Sequence, residues 1–123
     1  MILVDTSVWI DHLRLGDPGL IDALQATQVS IHPFVVGELA SGNLRARVEV
    51  LGLLQSLPPA AVATDKEVLF FIDAHALMGR GIGYVDMHLL ASARLAAMTL
   101  WTRDKRLLII ASELGLAHAE TQH

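Results

Sequence analysis

The chain predicts an α/β fold in which a parallel sheet is covered by helices on both faces. Its strand candidates are short continuous apolar runs, as strands buried on both sides require, and not alternating ones. These runs alternate with segments whose apolar residues recur at helical spacing. Turn residues mark each change of period, among them Gly16-Asp17-Pro18-Gly19, Pro58-Pro59 and Gly79-Arg80-Gly81-Ile82-Gly83.

Met1 to Val4 is a β-favouring run that ends at Asp5-Thr6-Ser7, after which Trp9, Ile10 and Leu13 follow helical spacing. Pro18 opens a second helix running to about Gln25, because its fixed φ suits the first helical position. Val29 to Ile31 is the next strand. Pro33 opens a helix carrying Phe34, Val35, Glu38 and Leu39, with Gly42 near its end. Another helix is expected from about Asn43 to Ser56, with Leu44, Val48 and Leu51 on one stripe and Val50, Leu54 and Leu57 on a second. Two stripes exceed what one core needs and mark a partner surface. Ala60 to Ala63 form a weak third strand, and Thr64-x-x-Glu67 is a capping box opening a helix to about Leu77. Tyr84 to about Ala97 is helical, Thr99 to Trp101 a strand, Lys105 to Leu114 a helix, and Leu116 to Ala119 a last strand. With no repeat, linker or low-complexity tract, residues 1–123 are expected to form a single domain.

Composition narrows the function. Of 123 residues, 53% are hydrophobic, which excludes a disordered chain, and the length supports a core without staples. Nine Lys and Arg against thirteen Asp and Glu give a net charge of −4, which argues against a generally basic nucleic-acid-coating protein. The absence of cysteine excludes disulfides, a thiolate nucleophile and a Cys-based zinc site, and fits a reducing cytoplasm. Apolar runs such as Val68 to Ile72 fall far short of the ~20 residues of a membrane helix. The opening residues have no basic region and read as a buried strand, so no signal peptide is expected.

In an open parallel sheet, ligands bind beyond the carboxyl ends of the strands. Asp5 follows the first strand, and Thr102 with Asp104 follows the strand containing Trp101. Asp86 lies in the first turn of a helix, eighteen residues before Asp104, about the length of one helix down and one strand back. Asp86 shares a helical stripe with Leu90, Ala93 and Ala97, and Glu38 stands in the apolar stretch Phe34 to Ala40. Ionised groups at such positions are costly unless paired or bound to a cation. Carboxylates and hydroxyls form a hard-oxygen set suited to Mg²⁺ or Mn²⁺. Taken singly, each aspartate has a plainer use: Asp5 as a helix cap, Asp86 as a first-turn acid beside the helix dipole, Asp104 as a turn residue. Arg45 or Arg47 would neutralise Glu38. The weight rests on the constellation.

At these residues the chain resembles the PIN-domain ribonucleases, and within them the VapC toxins of bacterial toxin–antitoxin pairs. The resemblance runs through Met1 to Ile10, Gly37-Glu38-Leu39, Gly83 to Ala91 and Leu100 to Leu107, and covers nearly the whole chain. It implies a PIN-like three-layer α/β/α fold with a parallel sheet of about five strands. It also implies that Asp5, Glu38, Asp86 and Asp104 form an acidic metal pocket, with Thr6 and Thr102 as polar neighbours. The expected chemistry is hydrolysis of RNA by metal-activated water, leaving a 5′-phosphate and a 3′-hydroxyl. An antitoxin partner is implied too, with the Asn43–Leu57 stripes and the Phe70-Phe71 region as surfaces for it or for a homodimer.

Arg14, Arg80, Arg103, Lys105 and Arg106 are candidate RNA-backbone contacts, since phosphate contacts need cations but little specificity. Trp9, Tyr84 and Trp101 are better suited to core packing than to base stacking, and the six histidines lack metal spacing. Two other functions compete. A phosphoacceptor receiver also places an acidic Mg²⁺ pocket at strand ends, but wants adjacent acids where Thr6 and Ser7 stand, and a haloacid-type phosphatase wants a second Asp at Ser7. A catalytically silent PIN-like binding module would not keep all four acids. If the four form one pocket, the remaining nine acids balance the nine basic residues, and the net acidity reports the metal site.

Overall fold

The computed structural model describes residues 1–120 of the chain. Its elements are β1 (Ile2–Val4), α1 (Thr6–Leu15), α2 (Pro18–Gln25), β2 (Val29–Ser30), α3 (Pro33–Ala40), α4 (Arg47–Ser56), α5 (Asp65–Ala74), α6 (Tyr84–Leu95), β3 (Thr99–Trp101) and α7 (Lys105–Glu113). The three strands are parallel in the order β2-β1-β3. β1 is therefore central, and its three residues are buried on both faces.

The fold class is the expected one, but the sheet has three strands and not about five. The two outer strands shrink to single parallel bridges, Ile31 with Pro59 and Leu100 with Ala117. Their brevity has local causes. Pro58 and Pro59 have no N–H to donate, and the N–H of Ala63 is drawn away to Ser92 Oγ on α6. At the other edge the N–H of Leu116 still closes α7 through Ala111 O, so only Leu116 O and His118 N remain to pair with Leu100.

Right-handed crossovers then fix the layers. With those bridges included, the chain steps outward from β1 through β2 to Pro59, returns across the sheet to β3, and steps outward again to Ala117. The reversal of direction places α1 to α4 over one face and α5 to α7 over the other. The closest helix pairs agree, α1 with α3, α3 with α4 and α5 with α6. The seven consecutive residues Met87 to Ala93 of α6 are all buried, so this helix is enclosed on every side and not only along one stripe.

Two helix ends differ from the sequence pattern. α4 starts at Arg47 and not Asn43, because the Arg47 guanidinium donates to Ala40 O and Gly42 O and so terminates α3, while Ala46 turns through a left-handed φ of 50°. α5 stops at Ala74 because Ala76 takes a φ of 52° and the N–H of Leu77 returns to Ile72 O. The Thr64 and Glu67 capping box forms as expected, with both reciprocal hydrogen bonds present. Of the two stripes on α4, Leu54 is buried and Val50 and Leu57 pack against the core, whereas Val48 is 82% exposed.

His32 caps α3 with a side chain the sequence reading did not single out. Its Nδ1 accepts from the N–H of Phe34 at 3.0 Å, and Nε2 lies 3.3 Å from Ser92 Oγ. The ring is fully buried and stands near His88, so burial and that second imidazole hold its pKa down at about 4. A depressed pKa means the stabilisation is complete above pH 6.5 and lost as pH falls towards 4. That loss is on the order of 3 kcal/mol when complete. Urea midpoints measured from pH 7 to 4 should fall for the wild type, and the fall should be clearly smaller in His32→Asn, which keeps a capping acceptor but cannot take up the proton.

Candidate active site

The site begins with strand register. Leu3 is paired with Leu100 and Val4 with Trp101, so the next residues, Asp5 and Thr102, emerge side by side at the carboxyl edge of the sheet. The N–H of Asp5 donates to Trp101 O at 2.9 Å and carries the pairing one step further. Asp5 is only 6% exposed. Its Oδ2 accepts from Ser7 Oγ at 2.7 Å, from Thr102 Oγ1 at 2.9 Å and from the N–H of Ser7 at 3.4 Å. Ser7 is a site-building residue absent from the sequence-based set, although the Asp5-Thr6-Ser7 run signalled it. Besides holding Asp5, its Oγ accepts from the N–H of Arg103.

The other three acids are fixed in the same manner. Asp104 caps α7, with Oδ1 accepting from the N–H of Leu107 at 3.0 Å, and its own N–H donates to Thr102 Oγ1. Asp86 turns back over the first turn of α6, where Oδ2 accepts from the N–H of Gly83 at 3.2 Å. Glu38, on α3, accepts from Thr6 Oγ1 through Oε1 at 2.8 Å and ties α3 to the start of α1. Glu38 is exposed, so the desolvation argument drawn from its apolar neighbours does not apply to it. Neither Arg45 nor Arg47 forms an ion pair with it among the described residues.

All four carboxylates thus have one oxygen held by a protein donor, and the second oxygen of each accepts no hydrogen bond among the described residues. Their charges meet at Asp86. Burial first, and then the negative charges of Asp5, Asp104 and Glu38, raise its pKa, and the Gly83 N–H offsets only part of that. Among the described residues no group of three or more His, Asp or Glu side chains stands close enough together to hold a metal ion. Mg²⁺ does not demand one, since it keeps several waters and takes one or two carboxylates directly. Oriented carboxylates with a spare oxygen, negative charge gathered at Asp86 and no cationic partner among the described residues fit a hard divalent cation.

The candidate RNA contacts divide. The Arg103 guanidinium is engaged by Asp11, Asp17 and Glu120 and lies 5.8 Å from the centre of the Trp101 ring. The hydrogen bonds that Arg103 donates to Glu120 lead the effects that raise its pKa. Arg80 makes a two-point ion pair with Glu113 at 2.9 and 3.0 Å. Arg106 lies over Gly81, where an added Cβ would come within 2.8 Å of its Nη1. Arg14 and Lys105 form no ion pair or hydrogen bond through their side chains among the described residues. Trp9 and Trp101 are core residues, as expected, whereas Tyr84 is 46% exposed, and its hydroxyl donates a hydrogen bond to Asp65 Oδ1 at 2.8 Å.

One cleft borders the site at Glu38, and a second lies beside that cleft. One of about 620 Å³ is lined by Ile10, Leu13 and Arg14 of α1, by Glu38 and Leu39, and by Asn43 to Arg45. The other, about 200 Å³ and largely apolar, lies among Trp9, Leu24, Leu53, Leu54 and Leu57, and shares Leu13 and Val50 with the first. No helix among the described residues is long and apolar enough to cross a membrane.

Known proteins match this arrangement at three levels. Residues 2–113 match the PIN domain family. The chain is 48% identical over 121 residues, 98% of each chain, to Ribonuclease VapC32 of Mycobacterium tuberculosis, in strains CDC 1551 and H37Rv alike. In fold it is similar to FitAB bound to an IR36 DNA fragment, with a TM-score of 0.66, 21% identity and full coverage of both chains. It is likewise similar to FitAcB from Neisseria gonorrhoeae, with a TM-score of 0.63 and 23% identity over 91% of this chain and 94% of that one. The parallel sheet, the acids along its carboxyl edge and these matches place the chain in the PIN-domain family, among the VapC ribonucleases.

Proposed function

We propose that the chain is a VapC-type toxin, a divalent-metal-dependent endoribonuclease that cuts RNA in the cytoplasm and arrests growth unless a cognate antitoxin covers it. The observation that carries this is the half-held state of Asp5, Glu38, Asp86 and Asp104, each with one oxygen fixed and one left to bind. Family membership and 48% identity to a named ribonuclease support the substrate class. The pocket and fold are taken to act as one unit across residues 1–123.

The residues have distinct tasks. Asp5, Glu38, Asp86 and Asp104 would hold Mg²⁺, or Mn²⁺ in its place, and Thr102, Ser7 and Thr6 aim the carboxylates. When bound, the cation lowers the pKa of water and neutralises charge on the phosphate. Arg14, Lys105 and Arg106 would guide the RNA backbone, whereas Arg80 and Arg103 are already engaged by acids and are withdrawn from that role. In-line attack would leave a 5′-phosphate and a 3′-hydroxyl.

The partner reading rests on the two joined clefts and on fold relatives that are FitAB and FitAcB assemblies. An antitoxin segment in the apolar cleft would reach the cleft at Glu38 through Leu13 and Val50. Phe70, 75% exposed on α5, is a separate candidate for a homodimer contact.

Asp5→Asn and Asp104→Asn should each cut Mg²⁺-supported cleavage of single-stranded RNA by more than the ~10–100-fold expected of Thr102→Val. A folded Asp5→Asn protein that cleaves at the wild-type rate would overturn the assignment. Asp86 separates stability from function. Its raised pKa means that the stability of its neutral form is present below pH 3.8 and lost as pH rises through the raised value. In EDTA at pH 7, Asp86→Asn should therefore melt about 2–5 °C above the wild type while losing activity. For the partner, Leu53 is 69% exposed, so Leu53→Glu should weaken binding of the cognate antitoxin at least tenfold with Tm nearly unchanged. Leu54→Glu would damage the core instead.

A further inference from the structure

Only three residues, Thr102 to Asp104, join β3 to α7, and two of them build the acidic site. Thr102 donates to Asp5, and Asp104 supplies a carboxylate. The residue between them has a different set of partners. The N–H of Arg103 donates to Ser7 Oγ at 3.0 Å, and its guanidinium reaches the corner between α1 and α2. There Nη1 donates to Asp11 at 2.8 Å and Nη2 to Asp17, while Nε and Nη2 donate to Glu120 at 3.1 and 2.6 Å. Asp17 is itself fixed, capping α2 through its other oxygen.

The loop needs such an anchor. Asp5, Glu38 and Asp104 each set a negative charge against Asp86, and Asp104 stands exposed on the three-residue loop between β3 and α7. A backbone fixed only from the site side would yield to that repulsion. The planar guanidinium, forked to acids on α1, at the start of α2 and in the segment after α7, holds the same backbone from the opposite side. One cation serving three carboxylates also leaves little charge for a phosphate.

We propose that Arg103 is a positioning residue that holds Thr102 and Asp104 against Asp5 and thereby sets how tightly the acidic pocket binds a divalent cation. This rests on the metal-site reading above.

The test is titration of the full chain with Mn²⁺ alone, followed by electron paramagnetic resonance of the free ion, beside the salt dependence of kcat/KM on single-stranded RNA. Arg103→Ala should weaken Mn²⁺ binding about tenfold, in the range of outer-shell substitutions. It should keep kcat at saturating Mn²⁺ within threefold and leave the salt slope unchanged. Arg103→Lys should restore part of the Mn²⁺ affinity. Arg80→Ala, which breaks an ion pair elsewhere, should leave Mn²⁺ binding as in the wild type. Wild-type affinity in Arg103→Ala overturns the proposal, and a salt slope reduced by ~0.7 at that unchanged affinity reassigns Arg103 as an RNA contact. An equal loss in Arg80→Ala also overturns it, as general destabilisation. If Arg103→Ala does not fold, Asp11→Asn and Glu120→Gln decide, with two- to fourfold weaker Mn²⁺ binding expected and unchanged affinity fatal. A wild-type chain that binds no Mn²⁺ overturns the metal reading itself, and the proposal with it.

Discussion

A carboxylate that caps a helix spends one oxygen on the orphan N–H groups of the first turn and keeps the other free. Three of the four acids here are built on that division. Asp5 caps α1, Asp104 caps α7, and Asp86 folds back onto the N–H of Gly83 at the start of α6. Because the strands are parallel, the helices that follow β1 and β3 begin at the same edge, and α6 begins there too. The helix N-termini bring partial positive charge to the place where the acids gather. The fold therefore orients the carboxylates and offsets part of their repulsion with one set of hydrogen bonds.

The plain and the functional readings of these aspartates are in this sense the same reading. Each is a cap, and each is a candidate ligand, because the two uses draw on different oxygens. Glu38 is the exception that ties the ring together, since it lies within α3 and is held by Thr6 at the start of the neighbouring α1. Ser7 and Thr102 complete the arrangement by fixing Asp5, the one acid that is buried.

Rigidity and strain are divided across the molecule. α6 is enclosed on every side, and the buried His32 and Ser92 pin α3, α6 and the Ala63 segment together. That frame carries Glu38 and Asp86. Asp104 instead stands on a three-residue loop, and its support comes from Arg103 and the acids of the α1–α2 corner. Burial, and after it the charges of the other three acids, raise the pKa of Asp86 at the centre of the group.

The amino-acid sequence by itself determined the α/β class, nearly every helix, β1 and β3, and it singled out the four acids and two threonines as a candidate site. These were legible because apolar period, capping residues and carboxylates at strand ends are local signals. Tertiary structure decided the rest. The outer strands became single bridges because their N–H groups were missing or committed to α6 and α7. Arg103, to all appearance a free cation beside the site, became an anchor because Asp11, Asp17 and Glu120 converge on it from three parts of the chain. His32 became a cap and Glu38 an exposed acid through packing between layers, which no pattern along one segment records. Local order sets which groups a segment offers, and only the meeting of distant segments sets which of those groups are already taken.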